Sequence, residues 1–193
     1  MRTRLRAGDP AAFGELFDDH ANAVYRHGLR LTGDHCLAED VVSSTFLHAW
    51  QLRGRIDAEG GTLRPWLLGI ATNVIRNLAR KRRRDRSLLE RVAPREEVPD
   101  FAEDTAALLD DRNALIQVHA SMMRLRLEER EVVALCVWAG LDYAAAAEAL
   151  GVPVGTIRSR LSRARAKLRE PPAQARQVKG GRMNAARTAQ EVN

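Results

Sequence analysis

The feature that most constrains the fold is a pair of helix-forming segments with only three residues between them. The sequence DYAAAAEALGVPVGTIRSRLSRARAKL runs from Asp142 to Leu168. Gly151 can adopt the positive φ that ends a helix, and Val152 and Pro153 then redirect the chain. Because two helices joined by so short a glycine-containing turn form a helix-turn-helix, this part of the chain is predicted to be one.

The second of these helices has one apolar side, and its other sides carry a single sign of charge. Ile157, Leu161, Ala164 and Leu168 are spaced by four, three and four residues, which predicts one buried stripe. The arginines lie off this stripe: Arg158, Arg160, Arg163, Arg165 and Arg169. Such a helix can enter a major groove and present guanidinium groups to guanine edges and phosphates. The alternative is a basic surface helix in some other bundle.

The N-terminal half reads as three further helices. The segment PAAFGELFDDHANAVYRHGLRLTG has mostly helical spacing of its apolar residues and ends at Gly33. Asp34 can cap a second helix, and Thr62 can cap a third, in which Pro65 is tolerated in the first turn. No segment reads convincingly as a strand, so the fold is predicted to be all-α.

Charge divides the chain into parts. An acidic run from Glu96 to Asp111, interrupted by Pro99 and preceded by Pro94, separates two helical regions and reads as a flexible linker. Its acidity is either the ordinary polarity of a linker or a means of shielding a basic surface. We therefore predict two small helical domains: a first domain at 8–88, an acidic linker at 89–104, a second domain with the helix-turn-helix at 105–170, and a mobile tail at 171–193.

Composition narrows the function. The 193 residues carry a net charge of +6, which suits a nucleic-acid partner. The two cysteines are far apart, and no apolar stretch is long enough for a signal peptide or a membrane span, so a cytoplasmic protein without membrane insertion is expected. The five histidines lack metal-ligand spacing. We expect no catalytic residue, no metal and no cofactor; a small metal-dependent nuclease is the enzyme alternative.

The motifs resemble those of a known family. The segment YAAAAEALGVPVGTIRSRLSRARAKL is similar to the promoter-reading C-terminal domain of extracytoplasmic-function (ECF) sigma factors of bacterial RNA polymerase. The preceding LRLEEREVVALCVWAGLDY resembles the first half of that domain. The segments FGELFDDHANAVYRHGLRLTGD, AEDVVSSTFLHAW and WLLGIATNVIRNLARKRRR resemble the N-terminal domain, in the family's order. A duplex-binding repressor or activator that works without polymerase is the rival among DNA-binding proteins.

The resemblance implies a surface for core RNA polymerase, with the coiled coil of its largest subunit and its flap region as docking points. Asp40 matches the acidic residue that pairs with basic groups of the coiled coil, and Val41 and Leu47 are expected to add exposed apolar contact. Ser43 and Ser44 stand where the family commonly has Gln and Glu. Since an exposed ion pair contributes only about 0.2–1 kcal/mol, weakened docking is expected and not its absence.

The resemblance also implies a surface for the minus-ten element, which is read as melted single strand. The loop from Arg53 to Thr62 matches the segment that captures a base flipped out of the stack. The matching positions near the separated strand are Arg64, Trp66, Asn73, Arg76, Asn77 and Arg80. Trp66 has a competing interpretation as a core residue. The run from Lys81 to Arg84 would attract the DNA backbone generally.

The minus-thirty-five element would be read as duplex by the helix-turn-helix. The matching positions are Thr156, Arg158, Ser159, Arg160, Arg163 and Arg165, and Lys167 is expected to contact phosphate. The linker would hold the two domains apart, so that polymerase sets their spacing and makes the second DNA contact intramolecular. Family members are often held inactive by an anti-sigma protein that covers both domains, so such a partner is also expected.

Overall fold

The computed structural model describes residues 1–89 and 120–169, and every regular element in these ranges is helical. The all-α prediction is thereby confirmed. The helices are α1 (Arg2–Ala7), α2 (Pro10–Thr32), α3 (His35–Leu52), α4 (Arg64–Leu89), α5 (Leu127–Val133), α6 (Tyr143–Leu150) and α7 (Val154–Arg169). A 3₁₀ turn, Arg53–Arg55, follows α3, and a π-helical turn, Ala134–Trp138, follows α5.

Local sequence explains where the first helices begin and end. The Asp9 carboxylate accepts hydrogen bonds from the backbone N–H groups of Ala11 and Ala12, and Pro10 occupies the first turn of α2. Gly33 ends α2 with a φ of 72°. Asp34 then caps α3 by accepting from the Leu37 N–H at 3.0 Å. The predicted roles of Gly33 and Asp34 are confirmed, whereas α1 has no counterpart in the sequence analysis.

The first domain, here the described residues 1–89, packs α2, α3 and α4 around one apolar core. Leu16, Ala49, Leu67 and Ala71 are at most 1% exposed there. The Phe13 ring meets the Trp50 ring edge-on, with centroids 5.1 Å apart. This core fixes the outward faces of α3 and α4, on which most of the predicted first-domain site residues lie.

The second domain, here the described residues 120–169, contains the predicted helix-turn-helix. Gly151 has a φ of 64°, and the Asp142 carboxylate caps α6 by accepting from the Ala145 N–H at 2.7 Å. Of the predicted apolar stripe on α7, Ile157, Leu161 and Ala164 are at most 2% exposed. The prediction for Leu168 is wrong: its side chain, in the last turn of α7, is 36% exposed and is not part of the described core.

The two domains are in contact along α4 and α6, so the expectation that they are held apart is wrong for this conformation. Leu68 of α4 is fully buried in the core of the second domain, and Ala134 belongs to the core of the first. A Cβ atom placed on Gly69 would lie 2.5 Å from the carbonyl oxygen of Ala149, so the two helices meet where a side chain is absent. The linker predicted at 89–104, beyond Leu89, and the tail at 171–193 lie outside the described residues.

Candidate functional site

Helix α7 presents most of its arginines to solvent, away from its buried stripe. Arg158, Ser159, Arg163 and Arg165 are exposed, and Thr156 and Arg160 are half-buried. Two local hydrogen bonds order this side: the Ser159 hydroxyl donates to the Thr156 carbonyl at 3.0 Å, and Arg163 Nε donates to the Ser159 carbonyl at 3.3 Å. The helix therefore offers several guanidinium groups to solvent from one rigid surface.

A shallow depression of about 350 Å³ runs beside these arginines. Tyr143, at the start of α6, lines it together with Arg158, Arg165 and Arg169 of α7. No Asp or Glu occurs between Val154 and Arg169, so the local charge is positive throughout. This combination of a phenolic hydroxyl and several cations suits the phosphates that flank a major groove.

Lys167 is the exception on this helix. Its ammonium donates to both carboxylate oxygens of Glu129, at 2.9 and 2.7 Å, and the Glu129 side chain is only 5% exposed. Burial alone would raise the pKa of Glu129, but hydrogen bonds from Lys167 and the Arg126 N–H hold the pKa below its usual range. The predicted phosphate contact of Lys167 is not available here, because this side chain ties α7 to α5.

On α4, three of the predicted minus-ten residues share one exposed face. Asn73, Asn77 and Arg80 are exposed, and their spacing of four and three residues places them side by side. Trp66 is half-buried and packs against the first-domain core, which agrees with its interpretation as a core residue. Arg64 is also half-buried, and its Nε is buried without a hydrogen-bond partner.

Arg76 lies at the contact between the domains. Its Nε and one terminal nitrogen donate to the two carboxylate oxygens of Glu131, at 2.6 and 2.5 Å, and its other nitrogen donates to Asn73 Oδ1 at 3.2 Å. The Glu131 side chain is 1% exposed. The hydrogen bond to Glu131 raises the pKa of Arg76 despite partial burial. The expected phosphate contact of Arg76 is therefore occupied by a carboxylate in this conformation.

The predicted polymerase-docking residues lie on α3, with one correction. Asp40 and Ser43 are exposed, Ser44 is half-buried, and Leu47 is 58% exposed. Val41 is completely buried and lies against α2 beside Gly28, so the expectation of an exposed Val41 is wrong. The position faces α2 because it follows Ala38 by three residues on the helix side that forms the core.

Sequence analysis missed an apolar residue next to this surface. Phe17 of α2 is 43% exposed, and its ring centroid lies 4.7 Å from that of Phe46 on α3. A groove of about 440 Å³ lies between α2 and α3, lined by Tyr25, Glu39 and Val42 among others. The spacing of Phe13 and Phe17, four residues apart, could have indicated an aromatic stripe that extends out of the core.

The loop after α3 forms the rim of a third depression. Ile56 and Leu63 are buried at its two ends, and residues 57–62 between them are exposed. With α1 and α2 the loop borders an open depression of about 580 Å³, lined by Arg2, Leu16 and His20 among others. Burial lowers the pKa of His20; the charge of Asp19 partly opposes this shift, and that of Arg64 adds to it. A volume of this size falls in the range of small-ligand sites.

Neither a metal-binding cluster nor a membrane-spanning helix is present among the described residues. Within 1–89 and 120–169, no group of three or more His, Cys, Asp or Glu side chains is arranged to hold a metal ion. Among the described helices, none combines the length and the apolar character needed to cross a bilayer. The basic and amide-bearing surfaces of α4 and α7 are thus the main candidates for a binding function.

Comparison with known proteins gives matches along both domains. The family model described as Sigma-70 region 2 matches residues 16–85, and the model described as Sigma-70, region 4 matches residues 115–168. The ECF RNA polymerase sigma factor SigL of Mycobacterium tuberculosis is 37% identical over 158 residues, which cover 80% of this chain and 85% of SigL.

Two solved structures share the fold at moderate identity. The sigma factor RpoE of Bartonella quintana, in complex with the anti-sigma factor NepR, superimposes with a TM-score of 0.64 at 28% identity, covering 81% of this chain and 94% of that one. CnrH, in complex with the cytosolic domain of CnrY, gives a TM-score of 0.63 at 26% identity, covering 86% of this chain and 91% of that one.

Proposed function

The chain belongs to the extracytoplasmic-function sigma factors of bacterial RNA polymerase, and we propose that its two domains divide the reading of a promoter between them. Sigma factors bind core polymerase and promoter DNA and direct transcription initiation. The polymerase carries out nucleotidyl transfer, so this chain contributes recognition and not catalysis. In this proposal residues 8–88 would bind polymerase and the minus-ten element, and residues 105–170 would bind the minus-thirty-five element. Residues 89–104 would connect the two domains.

Reading of the minus-thirty-five element rests on the exposed side of α7, which is the observation that carries the proposal. Arg158 and Arg163 are exposed on a helix whose apolar stripe is buried, and the turn at Gly151 precedes that helix. An arginine can donate two hydrogen bonds to O6 and N7 of one guanine, which gives base selectivity. Thr156, Ser159, Arg160 and Arg165 would add base or phosphate contacts around this pair.

Reading of the minus-ten element rests on α4 and on the loop that precedes it. The amides of Asn73 and Asn77 can donate to and accept from the edges of unpaired bases, and Arg80 can meet a phosphate. The loop from Arg53 to Thr62 would hold a base flipped out of the stack, which costs a few kcal/mol and so needs a shaped site to offset it. Both surfaces lie on the first domain and would act on the same melted strand.

Docking on core polymerase would use the outer face of α3. Asp40 is an exposed carboxylate, and Leu47 on the same helix and Phe17 on α2 supply exposed apolar area. The hydroxyls of Ser43 and Ser44 cannot replace a carboxylate in an ion pair with a basic partner. The apolar pair would therefore carry more of the docking energy than the family's usual charged residues do.

Opening of the chain is required before Arg76 can reach DNA. In the closed arrangement its guanidinium is bonded to the buried Glu131 carboxylate. On polymerase, separation of the domains to the spacing of the two promoter elements would break this pair, and a phosphate could then replace Glu131. Most arginines of α7 and the residues Asn73, Asn77 and Arg80 of α4 are already exposed in the closed form, so opening would mainly free Arg76.

The chain would work in the cytoplasm, where polymerase and promoters are, and an anti-sigma protein is its expected regulator. The solved relatives RpoE and CnrH were each captured with a partner, NepR and CnrY respectively. By analogy, a protein that covers the α3 docking surface or holds the domains closed would keep this chain from polymerase.

The proposal is tested by transcription in vitro with bacterial core polymerase over a genomic library, with start sites mapped. We expect initiation at promoters that share two elements at fixed spacing. Asp40→Arg should lower the affinity for core polymerase and leave the fold intact, whereas Glu148→Arg, the same charge change at an exposed site on α6, should not. Promoter selection by the chain without polymerase, or absence of any start site, would contradict the proposal.

A further inference from the structure

The loop proposed to take the flipped base has little internal support of its own. Its residues 57–62 are exposed, and two local hydrogen bonds shape it: the Glu59 N–H donates to Asp57 Oδ1 at 3.1 Å, and the Arg64 N–H donates to Thr62 Oγ1 at 3.3 Å. Gly60 and Gly61 add conformational freedom at its tip. A loop of this composition needs an outside contact to keep one shape.

Arg2 supplies that contact from a distant part of the chain. Its Nε donates to the Gly61 carbonyl at 2.8 Å, and its two terminal nitrogens donate to the carbonyls of Asp57 at 2.6 Å and Thr62 at 3.4 Å. The three acceptors lie on both sides of the loop tip, so one guanidinium joins the two sides. A Cβ on Gly60 would lie 2.5 Å from the same guanidinium, which shows how closely the backbone approaches it.

Helix α1 holds Arg2 in place. Leu5 is 1% exposed and belongs to the first-domain core, and Gly8 ends the helix with a φ of 79°. Arg4 donates to the carboxylates of Asp9 at 2.7 Å and Glu15 at 3.2 Å, which links α1 to the start of α2. The helix therefore has a fixed position from which Arg2 reaches the loop.

We propose that Arg2 is a positioning residue that fixes the shape of the loop at 56–63 and thereby its selectivity for the unpaired base of the minus-ten element. This inference rests on the proposed function of the loop and adds to it a residue outside the family-model match, which begins at residue 16. Arg2 acts on the carbonyls of the loop and does not itself meet the base. Its five N–H donors in a rigid plane suit several carbonyls at once, which the single ammonium of a lysine does not.

The experiment uses holoenzyme assembled from the full chain and core polymerase. The probes are single-stranded oligonucleotides from the minus-ten region of a mapped promoter, with each of the four bases in turn at the flipped position. We expect Arg2→Ala to lower the affinity for the preferred oligonucleotide roughly tenfold and to flatten the preference among bases, because loop order is then acquired on binding. The affinity and the base preference of Arg2→Lys should lie between those of the wild type and those of Arg2→Ala.

Arg6→Ala is the matched control, since Arg6 is an exposed arginine on the same helix and its loss removes the same charge. If Arg2→Ala and Arg6→Ala lose equal affinity for the oligonucleotide, the effect is general electrostatic attraction to DNA, and the inference is overturned. Duplex binding at the minus-thirty-five element and core affinity should be unchanged in both variants. A change of duplex binding or of core affinity in Arg2→Ala would assign Arg2 to overall folding and contradict a positioning role.

Amide hydrogen exchange of the free chain gives an independent readout. Arg2→Ala should speed exchange in residues 57–62 and leave α2 and α4 unchanged, whereas Arg6→Ala should change neither. If Arg2→Ala retains the base preference of the wild type, the inference is wrong, while the proposed function of the loop stands. If wild-type holoenzyme itself shows no base preference at this position, the proposed function of the loop fails, and the inference fails with it.

Discussion

Arg76 and Glu131, 55 residues apart in the chain, form a two-pronged ion pair that closes the first domain onto the second. The carboxylate is almost completely buried, whereas the guanidinium keeps 23% of its side-chain surface exposed. A carboxylate can be held at so buried a position only while a cation satisfies it. The pair therefore makes the closed arrangement depend on the residue that the proposed function assigns to the minus-ten strand.

Replacement of Arg76 by alanine is expected to open the free chain. Removal of one partner of a buried pair costs about 3–5 kcal/mol, and domain separation relieves that cost by returning Glu131 to water. Small-angle X-ray scattering should report a larger radius of gyration for Arg76→Ala. The control Arg80→Ala removes an exposed arginine from the same helix and should leave the radius unchanged.

A double variant tests the same pair from the opposite direction. Arg76→Met combined with Glu131→Leu replaces both charges by apolar groups, which leaves no buried charge unsatisfied. Because such replacements are often neutral or stabilising, the double variant should be as compact as the wild type. A compact Arg76→Ala, or an open double variant, would refute the dependence of closure on this pair.

Gly69→Ala should disfavour closure without any change of charge. The new methyl group would lie 2.5 Å from the Ala149 carbonyl oxygen, which is backbone and cannot rotate away. The control is Gly14→Ala, also in a helix, where nothing lies within 4 Å of the added carbon. Both changes gain up to about 1 kcal/mol of helix propensity. In urea unfolding Gly14→Ala should be stabilised and Gly69→Ala destabilised; stabilisation of both would contradict the close approach of α4 and α6.

Arg158→Ala and Arg163→Ala should weaken promoter binding by the holoenzyme. We expect a loss of about 1–3 kcal/mol with relaxed base selectivity in the minus-thirty-five element, since each arginine can pair with one guanine. Competition binding with base-substituted duplexes measures both quantities. Arg26→Ala, an exposed arginine on α2, should lower affinity little and leave selectivity intact. Unchanged selectivity in both α7 variants would remove this face from base reading.

His27 should make the fold sensitive to mild acid. The ring is buried, and its Nε2 lies 2.9 Å from the Thr72 hydroxyl, whose proton goes to the Leu68 carbonyl, so Nε2–H is the donor. Burial lowers the pKa of His27 from 6.5 to about 4, and the charge of Arg30 adds to the effect. The neutral ring is thus favoured in the folded state.

The contribution of the neutral His27 ring to folding stability is fully present above pH 6.5. It is lost as the pH falls toward the folded-state pKa of about 4. Between pH 7 and pH 5 the loss attributable to His27 should be about 2 kcal/mol in the free energy of unfolding. Urea titrations at both pH values measure it. His27→Gln has no titrating ring, so its decrease over the same range should be smaller by that amount; equal decreases would exclude His27 as the cause.

Sequence alone predicted the features that depend on neighbouring residues. The helix-turn-helix, the positive φ of Gly151 and the cap at Asp34 follow from turn and capping chemistry that acts within a few residues. The burial of Ile157 follows from helical periodicity in the same way. For this reason the sequence predicts which side of α7 is buried and which residues of it are exposed.

The features that depend on distant partners could not be predicted. The burial of Val41 and the ion pair of Arg76 each depend on another helix. The ammonium of Lys167 donates to the carboxylate of Glu129, which is 38 residues away in the chain. In the sequence, an arginine beside asparagines on a polar helix face predicts a DNA contact, whether the arginine faces solvent or another domain. Only the packing of α4 on the second domain distinguishes a residue that faces solvent from one that faces a buried carboxylate.

Leu68 belongs by sequence to the first domain but is fully buried in the core of the second. If the domains separate on a promoter as proposed, Leu68 is uncovered and a gap is left in the smaller core, a loss of about 1.5–3 kcal/mol from the leucine alone. Polymerase and DNA would then have to compensate for that loss each time the chain engages them. The second domain expressed as an isolated fragment would begin with this deficit, and its stability in isolation would understate its stability within the intact chain.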